Sequence, residues 1–339
     1  MRDAPETTLT GFKPRSTSLE RTDQHSFWRL TSRFSADRLF EWILTAFAVM
    51  SALTVVIIAV ELWRGSSASR HAFGWGFITS SAWDPVNSLF GAAPYIYGTL
   101  VTSAVALLLA GPIGVGTAVF LTELAPNWLR SPVGFLVEML AAIPSVIYGL
   151  WALFALVPIV RHTIEPTLNR WFGFLPFFQG PAYGVGLLSA SLVLTIMILP
   201  TVTSISRAVL ERTPDDQRLG AYALGATRWE VIRNVSLRHA RSGILGALIL
   251  GLGRALGETM AITMVIGNRG GINSSLFSLG DTMASVIANQ FSEATDNLYT
   301  SALVEIGLVL FAVTVLLNVG ARLLVGRIGD QTSKSGGQA

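Results

Sequence analysis

The sequence predicts an all-α integral membrane protein with six transmembrane helices, and three observations predict it. Charge is scarce: 13% of the 339 residues are charged and 51% are hydrophobic, where a soluble domain carries about 25% charge. Long stretches carry no charge at all, 38 residues between Asp84 and Glu123 and 36 between Arg170 and Arg207. The remaining basic residues gather on alternate connecting segments. Cysteine is absent, which excludes a disulfide framework, thiolate metal sites and a cysteine nucleophile.

About 20 apolar residues at 1.5 Å rise cross a hydrocarbon core of about 30 Å. Six segments meet that length, at about 42–62, 96–121, 136–157, 184–206, 243–266 and 301–324. The first is too long for the core of a removable signal peptide, and 38 polar-rich residues precede it. Residues 1–38 read as a cytoplasmic tail. Within it Phe27, Leu30 and Phe34 share one helical face and Arg29 and Arg33 another, the pattern of an interfacial helix. The second segment contains Pro112 and the third Pro144, and each is expected to kink its helix. Residues 39–328 make up the six-span body and 329–339 a second tail.

Lys and Arg set the orientation. With the N-terminus in the cytoplasm, inside segments hold 18 of the 24 basic residues and outside loops five. The positive-inside rule therefore puts both termini in the cytoplasm. Trp171, Phe172, Phe174, Phe177, Phe178 and Tyr183 crowd one outside segment, which fits an aromatic interface belt.

The inside loop 207–241 carries seven arginines against four acids. Thr213-Pro214-Asp215-Asp216 reads as a helix start, with Thr213 as cap and Pro214 first in the helix. Gly225 is a natural terminator. Thr227 and Glu230 then form a T-x-x-E capping box. Membrane spans tether both ends of this helix–turn–helix close to the bilayer, so it reads as a docking element and not as a nucleic-acid reader.

The fifth segment, LGLGRALGETMAITMVIGN (250–268), holds the charges that need a reason. On a continuous helix Arg254 lies near the midplane, where a guanidinium costs at least about 2.5 kcal/mol on insertion scales. Glu258 follows one turn later on the same face. Two readings stand: a self-neutralising pair within one helix, or two groups lining a polar pathway. Arginine offers a planar fork suited to phosphate oxygens and stays charged at any working pH. Gly243, Ala247, Gly251 and Ala255, with Gly253, Gly257 and Ala261 beside them, form a small-residue ridge that predicts close helix packing.

ALGATRWEVIR (223–233) sits where ABC importer permeases carry their cytoplasmic coupling motif, E-A-A-x-x-x-G-x9-I-x-L-P. Aligned on Gly225, the chain matches at Ala221, Gly225 and Leu237, with Leu219 in place of Glu and Arg238 in place of Pro. The run GLGRALGETMA followed by MVIGN resembles the PstC family of permease subunits of the bacterial phosphate ABC importer. EMLAAIPSVIYGLWALF (138–154) and FLTELAP (120–126) are similar to the same family, and the likeness covers roughly 95–268. The sister family, PstA, shares the ARALGET-like run, but the TMAITMVIGN continuation favours PstC.

That resemblance implies a type I ABC importer permease fold, with Arg254 and Glu258 on the phosphate path. It implies that Leu219, Gly220, Ala221, Gly225, Ala226 and Thr227 dock in a groove on an ATPase. The implied partners are a homologous PstA-like permease, a PstB-like cytoplasmic ATPase dimer that carries the ATP and Mg, and a PstS-like extracytoplasmic phosphate-binding protein. Inorganic phosphate and membrane lipid complete the set, in a bacterial inner membrane. No cofactor and no nucleic acid is expected on this chain.

Its two lysines, Lys13 and Lys334, close no G-x-x-x-x-G-K-[ST] loop, so ATP hydrolysis is not expected here. The histidines at 25, 71, 162 and 239 show no metal spacing. An intramembrane enzyme would need catalytic motifs that are missing from the sequence. A permease for another oxyanion such as sulfate, or a gated anion channel, remains compatible with the residues.

Overall fold

The computed structural model describes residues 33–335, with side chains for residues 38–323. The interfacial face of Phe27, Leu30 and Phe34 rests on side chains outside those described. The chain divides into two units, Met1–Ile57 and Ile58–Ala339. In the first, the described residues lie on helix α1 (Arg33–Gly65), which holds no Pro or Gly before its terminal Gly65.

In the second unit every regular element among the described residues is helical, apart from one isolated bridge between Asp84 and Leu89. Short helices α2 (Ser67–Phe73) and α3 (Gly76–Thr79) precede α4 (Ala93–Leu124). There follow α5 (Asn127–Ala142), α6 (Ser145–Phe172), α7 (Leu187–Leu210) and α8 (Asp215–Ala223). Helix α9 covers 228–256, α10 Met260–Val265, α11 Met283–Gln290 and α12 Asn297–Ser335. Five helices among the described residues are long and apolar enough to cross a membrane: α1, α4, α6, α7 and α12.

Two of the six expected spans differ from the expectation. The third, expected over 136–157, is broken at Ile143-Pro144, where both residues are extended. Helix α6 then runs on to Phe172. The fifth, expected as one helix over 243–266, ends at Leu256 and restarts at Met260. Pro112, by contrast, lies inside an unbroken α4. Its neighbours Ala110, Gly111 and Gly114 are buried, so close packing holds the helix through the missing amide. Helix α12 extends to Ser335, past the expected end at 324 and into the expected 329–339 tail.

The core of this unit has three parts. Helices α4, α6, α7, α9 and α10 share the largest, around Leu194, Met197, Ile198 and Phe277. A second cluster joins α2, α3, α11 and α12 through Phe77, Phe90, Tyr95 and Tyr299, with Trp83 edge-on to Phe90 and Tyr95 at 5.0 Å. A third, around Ala118, Leu210 and Ile232, closes the opposite end. Gly243, Ala247, Gly251 and Ala255 do form a packing ridge against α7: a Cβ on Gly243 would stand 2.5 Å from Val209, and one on Gly251 3.1 Å from Val202. Gly253 and Gly257 do not belong to it. A Cβ on Gly253 would meet nothing within 4 Å.

Helix α11 is pinned to α4 from its start. The Thr99 hydroxyl accepts the Met283 amide at 2.9 Å. Thr282 and Ser285 form a reciprocal capping box. Asp281, 3% exposed, accepts the Thr282 amide at 3.0 Å and the Ser285 hydroxyl. Its carbonyl would lie 2.0 Å from any Cβ on Gly98. Burial pushes the Asp281 carboxyl from 3.8 up to about 6.

Two outcomes follow. Gly98→Ala should lower the melting temperature of the detergent-solubilised protein through overpacking worth about 1–3 kcal/mol. Gly246→Ala, with open space around it, should leave it unchanged or raise it. The Asp281 value is raised on folding, so its contribution is fully present below pH 3.8 and is lost as pH rises through about 6. Asp281→Asn should therefore gain several degrees relative to the parent between pH 4 and 7. A difference that stays flat across that range would refute the assignment.

Candidate functional site

The site expected at Arg254 and Glu258 is built around the break in the fifth segment. Helix α9 ends at Leu256, with Gly257 at φ −95° and ψ 0°. Arg254 therefore sits in the last turn of α9 and Glu258 lies beyond it. The self-neutralising i,i+4 pair, one of the two readings of these charges, does not form. The physical reason is that each charge meets a helix end. A cation in a last turn is favoured by the partial negative charge of the exposed carbonyls, and a carboxylate by the amides of a first turn. Glu258 takes the latter role: its Oε1 accepts the Ala261 amide at 3.3 Å, at the start of α10.

Glu258 is half-buried and Arg254 is exposed. Arg254 makes no hydrogen bond or ion pair with any described residue. Open space around Gly253 adjoins it along the chain. The break therefore presents a fork of donors with room beside it.

The break in the third segment lies near. Gly149 on α6 stacks on α10 so closely that a Cβ there would stand 3.0 Å from the Ala261 Cα and 2.7 Å from the Met264 sulfur. Tyr148 donates its hydroxyl to the Leu140 carbonyl at 2.7 Å and so bridges the Pro144 break. Sequence reasoning took Pro144 for a kink and passed over Tyr148 and Gly149. The signal was the Ile143-Pro144-Ser145 step inside an apolar run.

The coupling segment forms the second candidate site. Helix α8 ends in a complete Schellman motif: Gly225, at φ +84°, donates to the Tyr222 carbonyl at 2.9 Å, and Ala226 to the Ala221 carbonyl at 3.1 Å. The expected Thr227 capping box is present, with Glu230 Oε2 accepting the Thr227 amide at 2.7 Å. Thr213, expected as the cap of α8, is not: Pro214 holds that position. The Thr213 amide instead turns back to the Leu210 carbonyl at 3.1 Å, and its side chain is buried.

Leu219, Gly220, Gly225 and Thr227 are exposed, while Ala221 and Ala226 are half-buried. Leu224 at 90%, Leu219 at 63% and Trp229 at 62% exposure leave an apolar surface on this segment. Lone apolar side chains are ordinary on a surface, but a group on one short helix–turn–helix marks an interaction face. Glu123, at the end of α4, is a residue the sequence reading passed over. Its carboxylate pairs with Arg218 of α8 at 3.0 Å.

Comparison with known proteins places the chain. Residues 110–330 match the family model described as binding-protein-dependent transport system inner membrane component. The Phosphate transport system permease protein PstC of Mesorhizobium japonicum is 46% identical over 300 residues, covering 87% of this chain and 92% of that protein. PstC of Haemophilus influenzae is 46% identical over 302 residues, covering 88% and 96%. PstC 2 of Mycobacterium tuberculosis is 42% identical over 298 residues, covering 86% and 92%.

Among solved structures, a bacterial alginate ABC transporter chain superposes with a TM-score of 0.56 at 17% identity, covering 88% of this chain and 98% of that one. A chain of the MetNI methionine ABC transporter gives 0.54 at 17% identity, covering 73% and 99%. At such identities the likeness concerns the fold. The family match, extending from within α4 into α12, and the PstC relatives, aligned over nearly the whole chain, together show that this chain belongs to the binding-protein-dependent transport system inner membrane components, alongside the PstC permeases.

Proposed function

We propose that this chain is one of two related permease subunits that frame the path of an ATP-driven phosphate importer. The observation that carries the reading is Arg254: a guanidinium without a protein partner, beside open space, at the break of an apolar segment. A buried or membrane-embedded cation without a partner is costly, and a transported oxyanion would offset that cost while bound. Glu258 holds the neighbouring helix start in place through the Ala261 amide and tempers the local positive field. Broken helices that present polar groups at depth are a recurring device of transport sites. The PstC names of the relatives support phosphate as that anion.

In this reading the basic residues put both termini and the 207–241 segment on the cytoplasmic side of a bacterial inner membrane. The exposed face of α8 and the Gly225 turn dock on a separate ATPase dimer, PstB-like, which binds ATP and Mg. A PstA-like permease forms the other half of the path, and a PstS-like binding protein delivers phosphate from outside. ATP binding closes the ATPase dimer, draws the coupling segments together and opens the path outward; hydrolysis resets it. The chemistry of ATP resides in the partner, and this chain binds, orients and releases the anion.

Arg254→Gln should reduce labelled-phosphate uptake to background in cells lacking the native chain, while the complex still assembles. Uptake close to the parent rate would refute the pathway role. A hundredfold excess of sulfate should leave parental uptake unchanged, and equal competition would reassign the substrate to oxyanions in general. Gly225→Pro removes both the positive φ and the amide that reaches Tyr222. It should leave the chain in the membrane and strip the ATPase from the purified complex. Full retention of the ATPase would show that docking lies elsewhere.

A further inference from the structure

We infer that Glu123 is the joint through which the coupling segment moves the second span, a positioning residue that ties ATPase motion to the path. This rests on the reading of 207–241 as the docking element. The residue stands at the end of α4, where the helix widens into a π-turn over Phe120–Leu124 and Ala125 donates to the Phe120 carbonyl at 2.7 Å. A π-turn leaves the last carbonyls of a helix without their usual partners, and such turns occur often at functional sites. Here arginines fill the vacancy. Arg130 of α5 donates to the Thr122 carbonyl at 2.8 Å, and Arg228 of α9 donates to the Glu123 carbonyl.

The Glu123 side chain reaches the other way along the coupling segment. Its Oε1 pairs with Arg218 Nη2 at 3.0 Å, with the two side chains only 10% and 19% exposed. The same Arg218 donates to the Leu210 carbonyl at the end of α7, 3.0 Å away, and leans on Asp215 at 3.6 Å. Thus both sides of the Gly225 turn, Arg218 before it and Arg228 after it, are fastened to one residue of α4. The pair is shielded from water, so salt and solvent weaken it less than the exposed pairs common on surfaces. Arg207 with Glu211 is a less shielded pair, and it joins residues only one turn apart at the end of α7. Displacement of α8 is therefore delivered to α4, the helix most extensively packed against α7, whose Gly111 also lies against Leu248 on the helix that carries Arg254.

The test uses the whole transporter, with its ATPase and binding protein, in proteoliposomes, and reads phosphate imported per ATP hydrolysed. Glu123→Gln should keep its full complement of ATPase and its basal hydrolysis, while the import per ATP falls at least about fivefold. The chain has no cysteine, so Glu123→Cys combined with Arg218→Cys places a unique pair within this subunit. Unlinked, the double variant should be uncoupled like Glu123→Gln. Joined by a short cleavable bis-thiosulfonate, it should return to within about twofold of the parent ratio and lose it again on reduction.

An unchanged ratio in Glu123→Gln would overturn the joint. So would a cysteine pair whose ratio ignores the linker, or loss of the ATPase from either variant. Failure of the docking reading is separate and visible earlier, as a Gly225→Pro complex that retains all its ATPase.

Discussion

A backbone amide or carbonyl left unpaired in hydrocarbon costs several kcal/mol, and this chain breaks two apolar segments in spite of it. The rest of the structure is arranged around satisfying those breaks. At Pro144 the Tyr148 hydroxyl takes up the Leu140 carbonyl, and the Ile147 amide closes on Pro144. At Gly257–Thr259 the Glu258 carboxylate takes the Ala261 amide, and the Thr259 carbonyl receives both the amide and the hydroxyl of Thr263. Gly149 allows α6 to close on α10 with no side chain between them. That contact ties the segment after the first break to the segment after the second.

Around them the packing follows size. Small residues on α9 let α7 approach, and Gly111 and Gly114 do the same on α4, where added Cβ atoms would meet Leu248 at 3.2 Å and Val202 at 2.9 Å. At Gly253, where glycine serves no packing, it leaves room beside Arg254. One residue type thus does opposite things on two faces of one helix: it brings backbones together on one and keeps a space clear on the other. At the far end the Schellman turn at Gly225 and the Thr227 box give the coupling segment a defined shape without help from the bilayer. Arginines from α8 and α9 then fasten that segment to the ends of α4 and α7.

Much of this was legible in the residues. Charge-free length marked the spans because hydrocarbon admits little else, and the capping box over Thr227 and Glu230 follows from neighbours four residues apart or fewer. Arg254 stood out because a cation in an apolar run needs a reason. The positions of the breaks were less legible. Pro112 and Pro144 read alike in sequence, yet one sits inside an unbroken helix and the other follows the end of one, because buried neighbours support the first and an extended Ile143-Pro144 step ends the second. Thr213 looked like a cap until burial and the Leu210 carbonyl claimed it.

The residues alone disclosed the solvent, the helical class, the Gly225 turn with its Thr227 cap and an arginine set in an apolar run. These depend on composition and on local spacing, which no fold is needed to read. Only the tertiary structure decided the relation between the charges. Arg254 and Glu258 are one turn apart on paper, but the chain stops being a helix between them, so each is answered by a helix end and the arginine keeps its donors free. It alone also brought Glu123 to Arg218 across 95 residues of sequence. Contacts of that kind depend on which helix faces which, and that is set by packing shape, a property no stretch of the chain carries alone.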